Sequence, residues 1–126
     1  MKILIISDSE QIKERLKDAL RINASEIQIF EKMLGDPGSI ESVNHEMPDV
    51  ILIMLNYSSM TNLKKFRIIK ESHPKISLIL YCYYGCQNYR QLKEDIKADY
   101  YLEKPSGLEK VHKILKDLEK EKFETV

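Results

Sequence analysis

Two kinds of hydrophobic pattern alternate along the chain. Short unbroken apolar runs suit strands buried on both faces, and apolar residues spaced three and four apart suit amphipathic helices. Ile3-Leu4-Ile5-Ile6 is the first run, and Ile12, Leu16, Ala19 and Leu20 form a helical stripe behind it. Ser7-Asp8-Ser9 lies between them, and Ser7 with Glu10 has the spacing of a capping box. Residues 26–31, where Ile27 and Ile29 alternate with polar positions, predict a weaker strand. Gly35-Asp36-Pro37-Gly38 breaks the chain, and Ser39 caps a short helix with Ile40 and Val43 inward. Residues 49–55 form the next strand, apolar from Val50 to Leu55. Thr61 caps a helix with Leu63, Phe66 and Ile69 inward, which His73-Pro74 ends. A fourth strand covers 76–82, and Gly85 turns the chain into a helix carrying Tyr89, Leu92 and Ile96. Residues 99–102 are a short fifth strand. Ser106 and Glu109 then box the start of a helix with Leu108, Val111, Ile114, Leu115 and Leu118 on one side.

Five strands alternating with five helices over short connections predict an α/β fold. Its centre is a five-stranded parallel sheet, doubly wound as a (βα)5 three-layer sandwich of the flavodoxin-like kind, in a single domain over 1–126. In such sheets chemistry sits at the carboxyl ends of the strands. The third strand ends in Met54 and Leu55, an unusual place for a thioether.

Composition narrows the function. The 126 residues are 43% hydrophobic, with 20 Lys plus Arg against 20 Asp plus Glu. A formal net charge of zero argues against a general nucleic-acid binder. No apolar run approaches the roughly 20 residues of a membrane helix. The apolar run after Met1-Lys2 is too short for a signal peptide and lacks a cleavage site, so it reads as the first strand of a cytoplasmic protein. Cys82 and Cys86 are too few for a disulfide framework. No Cys/His pair completes a metal site with them, since His45, His73 and His112 lie far off in sequence.

In order and spacing, "KILIISDSEQIKERLKDAL", "PDVILIMLNYSSMTNL", "LILYC" and "ADYYLEKPSGLEKV" resemble the receiver (CheY-like) domain of bacterial response regulators, the phosphorylated modules of two-component and phosphorelay signal transduction. The resemblance spans essentially the whole chain, and Lys104-Pro105 three residues after Tyr101 is its most specific piece. It implies an aspartate at the end of the third strand that accepts a phosphoryl group. It also implies an acidic pair after the first strand that holds Mg²⁺, a Ser or Thr after the fourth, a Lys after the fifth, and a reporting Tyr or Phe.

Carried over residue by residue, the acidic pair falls on Ser7 and Asp8, the phosphoacceptor on Met54 and the hydroxyl on Cys82. Lys104 and Tyr101 are kept, whereas Ser58 and Asn62 replace the family's Pro and Gly. A thioether neither accepts a phosphoryl group usefully nor binds Mg²⁺, a hard cation. Asp49 starts the strand, about 18 Å from its far end, and Asn56 is an amide. The expectation is a degenerate pseudo-receiver without aspartyl phosphorylation, without enzyme activity and without a cofactor, its Mg²⁺ binding weak or absent.

Other roles compete for the same residues. Asp8 either pairs with Lys104 or caps the first helix, in preference to holding a cation. Lys104 alternatively meets a free anion or a partner's carboxylate. Cys82 is a small apolar filler, or a redox-sensing thiol that Cys86 resolves as a disulfide. Tyr81, Tyr83, Tyr84, Tyr89, Tyr100 and Tyr101 are six of the seven tyrosines, gathered around the fourth strand, fourth helix and fifth strand. Tyrosine suits interfaces, and in receivers this face binds downstream proteins or forms homodimers, so Tyr89, Tyr100 and Tyr101 mark the expected partner face. The charge run from Lys110 to Lys122 reads as a solvated helix face. The rival functions are a conventional phosphorylated receiver using a displaced acidic residue, and a flavodoxin-like small-ligand domain. For the latter, Ser7-Asp8-Ser9 and Tyr57-Ser58-Ser59 are weak phosphate loops with no Gly-x-Gly.

Overall fold

A computed structural model describes residues 1–8, 10–23, 27–33, 39–55, 64–82, 94, 96–103 and 107–123. Its elements are β1 (Lys2–Ser7), α1 (Glu10–Asn23), β2 (Gln28–Met33), α2 (Ser39–Glu46), β3 (Val50–Leu55), α3 (Lys64–Ser72), β4 (Ser77–Cys82), β5 (Tyr100–Glu103) and α4 (Gly107–Phe123). Helix α4 is the fifth of the predicted helices. The fourth falls largely outside the described residues, although Glu94 and Ile96 are helical.

The five strands form one parallel sheet in the order β2-β1-β3-β4-β5. Alternation of side chains along each strand divides the core in two. Leu4, Ile6, Ile51, Ile53, Leu55, Leu78, Leu80 and Cys82 meet Val43 of α2 and Phe66 and Ile69 of α3. On the other face Ile3, Ile5, Val50, Leu52, Met54, Ile79, Tyr81 and Leu102 meet Leu16 and Leu20 of α1 and Val111, Leu115 and Leu118 of α4. The unbroken apolar runs are thus explained by cover on both faces.

The amino edge of the sheet is closed by two matching aspartates. Asp49 accepts the Lys2 N–H through Oδ2 at 2.8 Å, while its own N–H donates to the Lys2 carbonyl at 2.9 Å. Asp99 repeats this on the other side: its Oδ2 accepts the Leu78 N–H at 2.8 Å and its N–H donates to the Leu78 carbonyl at 2.8 Å. Lys70 Nζ joins Asp99 Oδ2 at 2.7 Å and also donates to the Ile76 carbonyl at 2.7 Å. Each aspartate therefore starts its strand by capping an N–H of the neighbouring one.

Strand ends differ from expectation by one or two residues, and two of these shifts have a visible cause. β2 runs on to Met33 instead of ending at residue 31, because Glu31 is neutralised from α1 and the charge does not stop the strand. β5 begins at Tyr100, since Asp99 is used as the cap just described. At the end of α2, Met47 takes a left-handed φ of 47° and donates its N–H to the Val43 carbonyl at 2.9 Å, ending the helix before Pro48.

Candidate functional site

The carboxyl edge brings Ser7, Asp8 and Met54 together. Ser7 stands beside Met54 in the β1–β3 register, and the Asp8 N–H donates to the Met54 carbonyl at 3.3 Å. Ser7 is fully buried and Asp8 half-buried. Met54 is only 2% exposed and packs into the α1/α4 side of the core with Leu52, Tyr81 and Leu102. The thioether is a core side chain here, filling the position with apolar volume.

Cys82 ends β4, in register with Leu55 and Glu103, and packs into the α2/α3 side of the core. Met54 and Cys82 thus belong to opposite layers, although one register step separates them. Cys82 fills apolar space in this core and is also disulfide-bonded. Counting cysteines argues against a framework of bridges, but a single local bridge needs no framework. Lys104 and Tyr89 lie outside the described residues, as do Ser9, Asn56, Ser58, Asn62, Cys86 and the tyrosines at 57, 83 and 84.

Beside this edge, α1 and β2 share an ion cluster. Lys13, with its side chain 5% exposed, reaches Glu10 at 3.0 Å and Glu31 at 3.6 Å, and its Nζ lies 3.8 Å from the Met33 sulfur. Lys17 reaches Glu31 at 3.1 Å and Glu14 at 3.8 Å. Burial disfavours the Lys13 ammonium, but the Glu10 hydrogen bond and the charges of Glu31 and Glu10 outweigh it and raise the Lys13 pKa above its ordinary value. Burial likewise pushes the Glu31 carboxyl up, and the Lys17 hydrogen bond with the Lys13 and Lys17 charges brings it below the usual carboxylate range. Glu10, Glu14 and Glu31 come within 4.8 Å of one another, but the two ammonium groups occupy the role a cation would take.

No family model matches the chain. Two curated relatives, the luminescence regulatory protein LuxO of Vibrio campbellii and the regulatory protein LuxO of Vibrio parahaemolyticus, are each 38% identical over 47 residues. That match takes in 37% of this chain and 10% of the relatives' length. Among solved structures, the chain is similar to the REC domain of AraT, a response regulator from Geobacillus stearothermophilus, with a TM-score of 0.74, 20% identity, and 95% and 93% of the two chains covered. A response regulator receiver domain protein from Clostridium thermocellum gives 0.75 at 20% identity over 96% and 95%. The chemotaxis protein CheY4 of Vibrio cholerae gives 0.71 at 17% over 93% and 97%.

The chain has the receiver fold.

Within the receiver fold, Tyr100 and Tyr101 sit on the edge strand β5 and lean to opposite layers. Tyr101 packs half-buried against the α2/α3 side of the core, and Tyr100 against the α1/α4 side. Burial raises the Tyr100 phenol above its ordinary pKa, and the carboxylates of Glu121, Asp99 and Asp117 add to the shift. Tyr81 is core, so not every tyrosine of the cluster is surface. Sequence reasoning missed Lys13 and Glu31. Lys13 falls one residue after the apolar Ile12, and its only signal is the Glu10–Lys13 and Glu14–Lys17 spacing of three.

Proposed function

We propose that this chain is a receiver-type signalling module that works without aspartyl phosphorylation and acts by binding protein. The observation that supports this reading is Met54, a buried thioether at the position where a receiver needs an exposed carboxylate. The donor set does not suit Mg²⁺ either. Ser7 offers a buried hydroxyl, Asp8 one carboxylate and Met54 soft sulfur, whereas Mg²⁺ asks for hard oxygen ligands. Asp49 is no substitute acceptor, being engaged as a cap at the opposite edge. We assign the partner, a different protein or a second copy of the chain, to the edge of the sheet at β5 and the adjoining α4. Tyr100 and Tyr101 offer apolar area with a polar tip there.

The rival is a phosphorylated receiver in which Asp8, half-buried at this edge, takes the phosphoryl group. Incubation with acetyl phosphate and Mg²⁺ followed by intact mass decides between them. The unmodified mass is expected, and gain of one phosphoryl group that Asp8→Asn abolishes establishes the rival.

A further inference from the structure

Met33 is the last residue of β2, half-buried, and stands beside Ser7 in the β1–β2 register, in the same row as Met54. The Lys13 ammonium reaches its sulfur. Nζ donates to the sulfur at 3.8 Å and to Glu10 at 3.0 Å, while Glu31 stands at 3.6 Å. An ammonium has three hydrogens, and these three neighbours surround it. Two of them are carboxylates, which meet a cation well. The third is a thioether, a weak acceptor at a long distance. The Lys13 side chain is only 5% exposed, so water does little to make up the difference. A buried cation is thus weakly met on one side, and that side faces a sulfur.

We propose that Met33 is a site of reversible oxidation by peroxide, and that Lys13 directs the reaction and holds the sulfoxide it forms. Three observations carry this. First, an oxygen bonded to the sulfur, set to one side of the N···S line, comes within ordinary hydrogen-bond distance of Nζ. Second, a sulfoxide is polar and disrupts an apolar core, but here a buried ammonium receives it through a charge-assisted hydrogen bond. Third, Met33 lies half-buried on an edge strand of the sheet, whereas Met54 in the same row is 2% exposed and sealed by packing. The proposal goes beyond the phosphorylation-free reading and does not rest on it.

The step balances with hydrogen peroxide as oxidant. A sulfur lone pair attacks one peroxide oxygen, and the O–O bond breaks. The departing oxygen leaves as hydroxide, accepting a hydrogen bond from Lys13 Nζ. The proton on the sulfur-bound oxygen passes to that hydroxide, so the products are methionine sulfoxide and water. Sulfur loses two electrons and peroxide gains them. Methionine sulfoxide reductases reverse the change. The new oxygen ties the end of β2 to α1, next to Ser7 of the candidate site.

The test exposes the full chain to hydrogen peroxide and maps sulfoxides by peptide mass. The Met33 epimer is assigned by whether methionine sulfoxide reductase A or B removes it. Met47, 54% exposed, is the internal reference and should give both epimers. Met33 should oxidise in the folded chain with one epimer in at least about fourfold excess. Lys13→Leu should slow the Met33 reaction at least about threefold relative to Met47 and bring the epimers towards equality. Lys13→Gln, which also removes the charge, gives the same reading if the leucine variant does not fold. Hydrogen exchange of the β2 peptide should slow at least about threefold on oxidation, and not in Met33→Leu treated alike. The proposal is overturned if Met33 stays unmodified while Met47 is fully converted, or if the folded wild type forms both epimers equally. It is also overturned if loss of Lys13 leaves the Met33 rate unchanged or raises it, or if oxidation leaves β2 exchange unchanged or speeds it.

Discussion

Placing an aspartate at position 54 tests the claim that Met54 is core. The site is 2% exposed, between Ser7 and Tyr81 in the sheet register. Removing a fully buried Met side chain forfeits about 1.5–3 kcal/mol of burial. The new carboxyl would face the α1/α4 side of the core, and the Lys13 and Lys17 ammonium groups on α1 are already engaged by Glu10, Glu14 and Glu31. Packed among Leu52, Tyr81 and Leu102, it would fold in neutral form, with a pKa raised above its unfolded value near 3.9. Holding it neutral at pH 7 costs up to about 4 kcal/mol more. The sign follows: the extra penalty is absent below pH ~4 and grows by at most about 1.4 kcal/mol per pH unit above it. Urea unfolding of Met54→Asp should therefore show a total loss of roughly 4–7 kcal/mol at pH 7, shrinking towards the burial loss alone at pH 4. Met54→Asn should show the burial loss without the slope, and Met54→Leu should cost less than about 1.5 kcal/mol. A Met54→Asp protein within about 1 kcal/mol of wild type at pH 7 would mean that the edge still accommodates a charge, and the core reading of Met54 would fall.

The other predictions concern the remaining polar groups and the surface. Asp99→Ala removes a charge-assisted cap on Leu78 and the partner of Lys70, and should lower stability by about 1.5–3 kcal/mol in urea; a change under about 0.5 would remove the capping role. Asp49→Ala removes the matching cap on the Lys2 N–H and should likewise lower the urea midpoint. The Glu31 carboxyl lies below its ordinary value of 4.5, so its contribution is present above that pH and lost as pH falls through the lower folded value. Glu31→Gln should flatten the acid limb of a stability–pH profile, and an unchanged limb would refute the assignment. Ile68 is 62% exposed, so Ile68→Lys should shift stability by less than about 0.5 kcal/mol, whereas Phe66→Ala two residues earlier should cost about 3–5, both read from the urea midpoint.

The strands could be read from sequence because they are buried on both faces: six apolar residues in a row at Val50–Leu55 leave little room for another assignment. At the carboxyl edge, Ser7 and Met54 stand opposite each other in the β1–β3 register, as the two strands read from sequence place them. What escaped depends on partners distant in sequence. A lysine on α1 looks solvated until β2 brings Glu31 beneath it. Asp99 looks like the first residue of a strand until Lys70 and the Leu78 amide converge on its carboxylate. The bridged state of Cys82 is not legible from sequence, because cysteine spacing alone does not fix a disulfide.

The two edges of the sheet divide the labour unequally. At the amino edge, carboxylates are kept and fully used: Asp49 and Asp99 each satisfy a strand N–H, and Lys70 neutralises the second. At the carboxyl edge, the strands end in a buried apolar side chain at Met54 and a bridged sulfur at Cys82. On the function proposed above, this adds packing at the end of β3, where a phosphorylated switch would need hydration and charge. On that proposal, a signal would enter through groups the core has not absorbed. On β5 those are the half-buried rings of Tyr100 and Tyr101, one leaning to each layer, so contact at this single strand reaches both halves of the core.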